Sequence, residues 1–225
     1  MNFRNKLLMS LNALLNHRKF KKIYFVILFL MVNIGIMDEG GYTLYSGRDA
    51  RKICDEYVLD QKLYLCKNSK DIIDQWSSRY FQRLNEYIRG LISPSFTKIR
   101  EYEKFRRELS SLIESTRGLY VDTILFRGEI DVNIESRFCI GEENIFSGFI
   151  ATSFSEKKAR NFSRSISNSG YLIKIRAKKY TKGIAINGNE VGMYRGQKEW
   201  LLNENQKYIT LNIDEKNRII EIKLL

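Results

Sequence analysis

A change of texture near Gly118 limits what this chain can fold into more than any other feature of it. Residues 47–118 carry apolar side chains at helical spacing, whereas the residues beyond them fall into short runs rich in β-branched side chains. Between Asp71 and Leu91, the residues Ile72, Trp76, Tyr80, Leu84, Tyr87, Ile88 and Leu91 recur mostly every third or fourth position. That spacing predicts one helix with a single apolar face over 71–91. Gly90 comes near its end, and Pro94 stops any continuation. A further helix is predicted over 97–115, burying Ile99, Tyr102, Phe105, Leu109 and Leu112. Strands are predicted at 123–126, 148–153, 171–176, 184–186, 199–202, 207–213 and 218–224. Helices followed by strands point to an α+β fold with a mostly antiparallel or mixed sheet system.

The chain has 225 residues, 44% of them apolar, enough to bury one sizeable core with an N-terminal appendage. It has one proline, no low-complexity tract and no internal repeat. The appendage is read as residues 1–37. Its basic stretch ends in His17-Arg18-Lys19-Phe20-Lys21-Lys22, and an uncharged, mostly apolar run follows over 23–37. Fifteen residues interrupted by Asn33 and Gly35 are short for a spanning helix, which needs about 20. They match the apolar region of a secretory signal peptide, with an uncleaved membrane anchor and a buried helix as the alternatives. Cleavage would leave residues 38–225 as a single domain, and a membrane would be met only through the N-terminal segment if it stays uncleaved. The net charge is +12, of which residues 1–37 carry +6, leaving +6 for the remainder. That moderate excess suits a diphosphate or an acidic protein surface, and no recognised nucleic-acid module is visible.

The cysteines, Cys54, Cys66 and Cys139, are odd in number and unevenly spaced, which favours buried small hydrophobes over a disulfide framework. His17 is the only histidine, and it lies in the segment expected to be removed. Serine–histidine and cysteine–histidine catalysis are thereby excluded from the mature domain, as is a histidine-bearing zinc site, and no metal is expected. The chemistry must run on carboxylates, amides, hydroxyls and arginines.

Gly196-Gln197-Lys198-Glu199-Trp200 places an amide and a carboxylate two residues apart at the mouth of an apolar run. On a continuous strand both would project from one face and Lys198 from the other. An amide beside a fixed negative charge suits a reaction that develops positive charge on a sugar. Glutamine-x-glutamate alone is common by chance, so the other segments matter. Leu125-Phe126-Arg127-Gly128 is a strand ending in arginine, and Gly148-Phe149-Ile150-Ala151-Thr152-Ser153 is a strand ending in hydroxyls. Phe162 follows, and Leu84-Asn85-Glu86-Tyr87-Ile88-Arg89 precedes them as an asparagine-x-x-x-arginine helical element. In this order, over about residues 70–225, the chain resembles the mono-ADP-ribosyltransferase toxins, and within them the C3-like exoenzymes. These are single-domain secreted bacterial enzymes that modify Rho-family GTPases.

The resemblance implies a helical N-terminal half packed on a mixed or antiparallel two-sheet β core. It implies NAD as substrate, an asparagine of a Rho-family GTPase as acceptor, and a monomeric toxin acting in a host cytosol. Glu199 becomes the catalytic carboxylate and Gln197 the residue that orients the acceptor amide, with Tyr194 docking on the GTPase. Arg127 and Ser153 join the catalytic set. Asn85, Arg89, Arg127, Gly128, Thr152, Phe162 and Glu199 become NAD-binding. Simpler readings stand beside these: a solvated helix face for Asn85 and Arg89, and a surface ion pair of Arg127 with Glu129 or Asp131. Phe162 would then be a core residue and Tyr194 an exposed loop tyrosine. The sequence departs from the family at Ala151, where the family carries a serine whose hydroxyl orients the catalytic glutamate. Thr152 or a water would have to substitute for it. Other readings keep the fold but hydrolyse NAD or modify another protein such as actin, or make the chain a membrane-tethered binding module with weakened catalysis.

Overall fold

The computed structural model describes residues 36–62, 67–130, 137–166, 170–186 and 198–225. Short strands β1 (Ile36–Met37) and β2 (Thr43–Leu44) lead into the helices α1 (Gly47–Lys62), α2 (Lys67–Gln75), α3 (Phe81–Ile88) and α4 (Phe96–Glu114). The strands β3 (Thr123–Glu129), β4 (Glu143–Ile145) and β5 (Ile150–Ser153) follow. Helix α5 (Glu156–Ile166) precedes β6 (Tyr171–Ala177), β7 (Gly183–Ile186), β8 (Glu199–Leu202), β9 (Lys207–Asp214) and β10 (Ile219–Leu224). The α+β expectation is borne out.

The helix predicted over 71–91 is broken. Residues Trp76–Tyr80 leave the α-helical path in a π-type turn between α2 and α3, with Ser78 extended at φ −79° and ψ −175°. Two hydroxyls explain the break, because serine side chains compete with the backbone for its carbonyls. Ser77 Oγ donates to Ile73 O at 2.9 Å and Ser78 Oγ to Gln75 O at 2.5 Å, while Ser78 Oγ also accepts from Tyr80 N. Helix α4 matches its prediction within a residue at each end. It buries Tyr102, Phe105, Leu109, Leu112 and Ile113, with Ile99 only half-buried. Helix α5 and the short β1, β2 and β4 were not anticipated. Helix α5 has few large apolar side chains, and the three strands are too short to show a period.

The described strands join in a ten-stranded sheet whose main path runs β4-β9-β10-β6-β3-β5-β8-β7. Its centre is long and regular: β3 pairs antiparallel with β6 from Thr123↔Ala177 to Glu129↔Tyr171, and β10 pairs parallel with β6. The path narrows between β3 and β5, where the register is the single pair Phe126↔Ser153. A β4-β9-β10-β6-β3 block and a β5-β8-β7 block therefore meet at a seam. The second block is nearly all buried, with Trp200, Leu201, Leu202, Ile184 and Ile186 shielded from solvent. Burying their apolar surface contributes about 25 cal/mol per Å² to stability. Strand β7 ends the path, and Gln61 of α1 caps its polar edge by donating to Gly183 O (3.0 Å) and accepting from Ala185 N (2.8 Å). Among the described candidate residues, Arg127 on β3, Ser153 on β5 and Glu199 on β8 lie at or beside this seam.

Candidate functional site

Glu199 begins β8, opposite Ser153 on β5 and Ile186 on β7. Directly paired residues share a face of the sheet, so Ser153 and Glu199 stand side by side. The buried Trp200-Leu201-Leu202 run anchors this end of the strand in the core. The Trp76 indole Nε1 donates to Glu199 Oε1 at 3.2 Å. Burial pushes the Glu199 carboxyl up from its ordinary 4.5 to about 7, against the opposing pull of the Trp76 hydrogen bond and the Arg127 charge. An acid that titrates near neutrality inside a cavity is a mark of a working site.

Of the strand alternation expected across Gln197-Lys198-Glu199, the described residues show β8 beginning at Glu199, with Lys198 outside it. Lys198 has φ +54°, a left-handed conformation that a continuous strand does not contain. Contacts hold it there: Lys198 O accepts from Phe154 N and Ser153 Oγ, each at 3.1 Å, and Lys198 Nζ donates to Gly47 O at 2.9 Å. Gln197 and Tyr194 lie outside the described residues.

Arg127 extends from β3 beside the seam, its Nη1 donating to Ala151 O at 3.0 Å and its Nε to Glu129 Oε2 at 3.0 Å. The simpler reading of this arginine is right about the partner. The pair is mostly shielded, however, at 16% and 13% side-chain exposure, and Arg127 also lines a cavity. Burial raises the Glu129 carboxyl, but the charges of Arg127, Arg137 and Arg89 outweigh it and hold the group below the usual carboxylate range. Of these arginines, Arg127 and Arg89 line the cavity, a setting for a diphosphate. Asp131, the other partner considered, lies outside the described residues.

The cavity measures about 480 Å³ and contains Glu199, Arg127, Gly128, Ser153, Thr152, Asn85, Arg89 and Phe162. Every described residue assigned to the site from sequence is therefore brought together. Several act differently from expectation. Asn85 clamps the chain entering β5, donating to Phe149 O (3.2 Å) and accepting from Phe149 N (3.0 Å), so its amide is already engaged. A Cβ at Gly148 would lie 2.4 Å from Asn85 Oδ1, which is why this tight turn carries glycine. Arg89 Nε donates to Ser147 O at 3.1 Å in the same clamp. Gly128 is glycine because a Cβ would come within 2.2 Å of Ala159 O on α5, so helix packing and not a ligand accounts for it. Thr152 does not replace the missing serine, because its single hydroxyl proton goes to Trp200 O at 2.5 Å. Phe162 is 52% exposed, which rules out the core reading. Sequence reasoning missed Phe81, Phe149 and Lys158, which also line the cavity, and above all Trp76, which it read as part of an apolar stripe.

Cys54 is a buried thiol whose Sγ lies 3.8 Å from Glu199 O, and burial pushes it up; Cys139 is an exposed thiol, and neither forms a disulfide among the described residues. Cys66 lies outside the described residues. Among the described residues, no cluster of metal-ligating side chains is found, and no helix is long and apolar enough to cross a membrane.

No protein-family model and no curated protein matches this sequence. Solved structures do match. One is Plx2a, an ADP-ribosyltransferase toxin from Paenibacillus larvae, at 19% identity and TM-score 0.62, covering 79% of this chain and 96% of that one. The Clostridium limosum C3 exoenzyme matches at 18% identity and TM-score 0.64, with 82% and 97% covered. C3stau2 from S. aureus, solved with NAD, matches at 14% identity and TM-score 0.64, with 82% and 98% covered. The chain has the fold of the ADP-ribosyltransferase toxins, C3 exoenzymes among them.

Proposed function

We propose that this chain is an exported mono-ADP-ribosyltransferase toxin that transfers ADP-ribose from NAD to an asparagine of a Rho-family GTPase, releasing nicotinamide. The observation that carries the reading is Glu199. It is a carboxylate held beside Arg127 in an aromatic-lined cavity, in a fold shared with toxins of that activity. The fit to NAD is chemical. Arg127 and Arg89 present guanidinium groups suited to its diphosphate, and the exposed aromatics of the lining, Phe81 and Phe162, suit a cationic pyridinium ring. A cavity of about 480 Å³ falls within the range of about 300–1,000 Å³ usual for small-molecule sites.

In this reading Glu199 accepts a hydrogen bond from a hydroxyl of the nicotinamide ribose and stabilises the positive charge that develops on the sugar. The glycosidic C–N bond breaks, nicotinamide leaves with the electron pair, and the acceptor amide nitrogen forms the new bond to the anomeric carbon as it gives up one proton to solvent. Gln197 and Tyr194 support the acceptor assignment through the sequence resemblance, and residues 1–37 support export. The protein acts as a monomer and without a metal.

Incubating the full chain with NAD and a Rho-family GTPase should release nicotinamide and add one ADP-ribose to an asparagine, and Glu199→Gln should abolish both. Nicotinamide release without any labelled protein would instead establish NAD hydrolysis. Labelling of actin alone would remove the GTPase assignment.

A further inference from the structure

We propose that Trp76 is the positioning residue for Glu199, its indole N–H supplying the bracing hydrogen bond that Ala151 lacks the hydroxyl to make. This inference rests on the reading of Glu199 as the catalytic carboxylate. Ala151 is two residues from Ser153 on β5, so it shares the face that carries Glu199 and is its diagonal neighbour across the β5–β8 pairing. A methyl group stands there, on the cavity wall. From a different element, the turn after α2, Trp76 Nε1 reaches Glu199 Oε1 at 3.2 Å.

The donor is built in. Trp76 is 2% exposed, and its indole nitrogen can only donate; unlike that of the buried Trp200, which has no partner, it finds an acceptor. Its ring is fixed by Phe81 and Phe149, with centroids 5.8 Å and 5.6 Å away. The backbone serves the same end. Trp76 is the first residue of the π-type turn that Ser77 and Ser78 impose, and such turns recur at functional positions. The bond engages Oε1 and leaves Oε2 available to a substrate hydroxyl. Of the titratable and charged groups on other elements, Arg127 on β3 acts on the carboxylate, Glu86 and Arg89 at α3 and Lys158 on α5 line the same cavity, and the Cys54 thiol on α1 lies against the Glu199 backbone. None of them is replaced in the test below.

Trp76→Phe keeps the ring and removes the donor. In the full chain it should lower kcat for nicotinamide release about tenfold, the worth of a hydrogen bond to a charged group, while KM for NAD changes less than about twofold. The acid limb of its pH–rate profile should move to higher pH, because the ionised carboxylate loses a donor. Adding Ala151→Ser should restore part of kcat. A Trp76→Phe protein with wild-type kcat and an unmoved acid limb overturns the proposal, and no recovery with Ala151→Ser overturns the equivalence of the two donors. A second measurement needs neither a Trp76 variant nor catalysis. Of the indole N–H resonances of Trp76 and Trp200, the one from Trp76 should titrate with the Glu199 carboxyl and cease to titrate in Glu199→Gln. Indole signals indifferent to that carboxyl sink the inference. A wild-type chain that releases no nicotinamide sinks the transferase reading, and the resonance experiment still decides the role of Trp76.

Discussion

The proposed transfer needs Glu199 ionised while its burial favours the protonated form, and that opposition sets the pH behaviour expected of the site. Its carboxyl titrates near 7 because burial disfavours the charged form. The reaction requires the anion, so kcat/KM for nicotinamide release should rise about tenfold per pH unit below about 7 and level off above it. A flat profile from pH 5 to 8 would contradict this. Stability should run the opposite way. Between about 4.5 and about 7 the folded chain holds a proton that the unfolded chain has released, so stability falls as pH rises through that window. Glu199→Gln cannot ionise and should therefore gain roughly 1–3 kcal/mol above pH 7, discounted for partial exposure, with no gain below about pH 4.5. Denaturant unfolding at pH 8 and pH 4 measures it. Arg127→Lys should raise KM for NAD about tenfold, because a lysine cannot reproduce the planar fork of donors. The site residues were legible here because their types and order carried the signal. Trp76 was not, because a tryptophan at helical spacing reads as core. The clue was chemical, since a buried indole N–H usually finds an acceptor.

At the scale of elements, the seam between β3 and β5 and the helices flanking it bring the cavity together. Gly128 lets α5 approach β3 closely enough to set Phe162 beside Arg127. A Cβ there would meet helix backbone at 2.2 Å, so Gly128→Ala should cost about 1–3 kcal/mol in urea unfolding and weaken NAD binding with it. The strands of the site were readable from short β-branched runs. The break in the helix over 71–91 was not, because the apolar period continues through it while the Ser77 and Ser78 hydroxyls redirect the backbone. The turn at Lys198 was hidden for a related reason. A left-handed lysine is set by its tertiary contacts with Gly47, Ser153 and Phe154, which no local pattern encodes.

At the scale of the molecule, a helical half laid on a mixed sheet is the arrangement that the order of helices and strands implied. Solved toxins share it at 14–19% identity. So low an identity means that the common fold rests on core pattern and strand pairing, not on retained side chains. Ala151 fits that picture, with an indole from a different element beside the carboxylate. The central claim is that Glu199 drives transfer of ADP-ribose from NAD. Mass spectrometry of host lysate incubated with NAD and either the wild-type chain or Glu199→Gln tests it most directly. The account predicts a single protein class gaining ADP-ribose on asparagine with wild type and not with the variant; equal labelling by both proteins would contradict it.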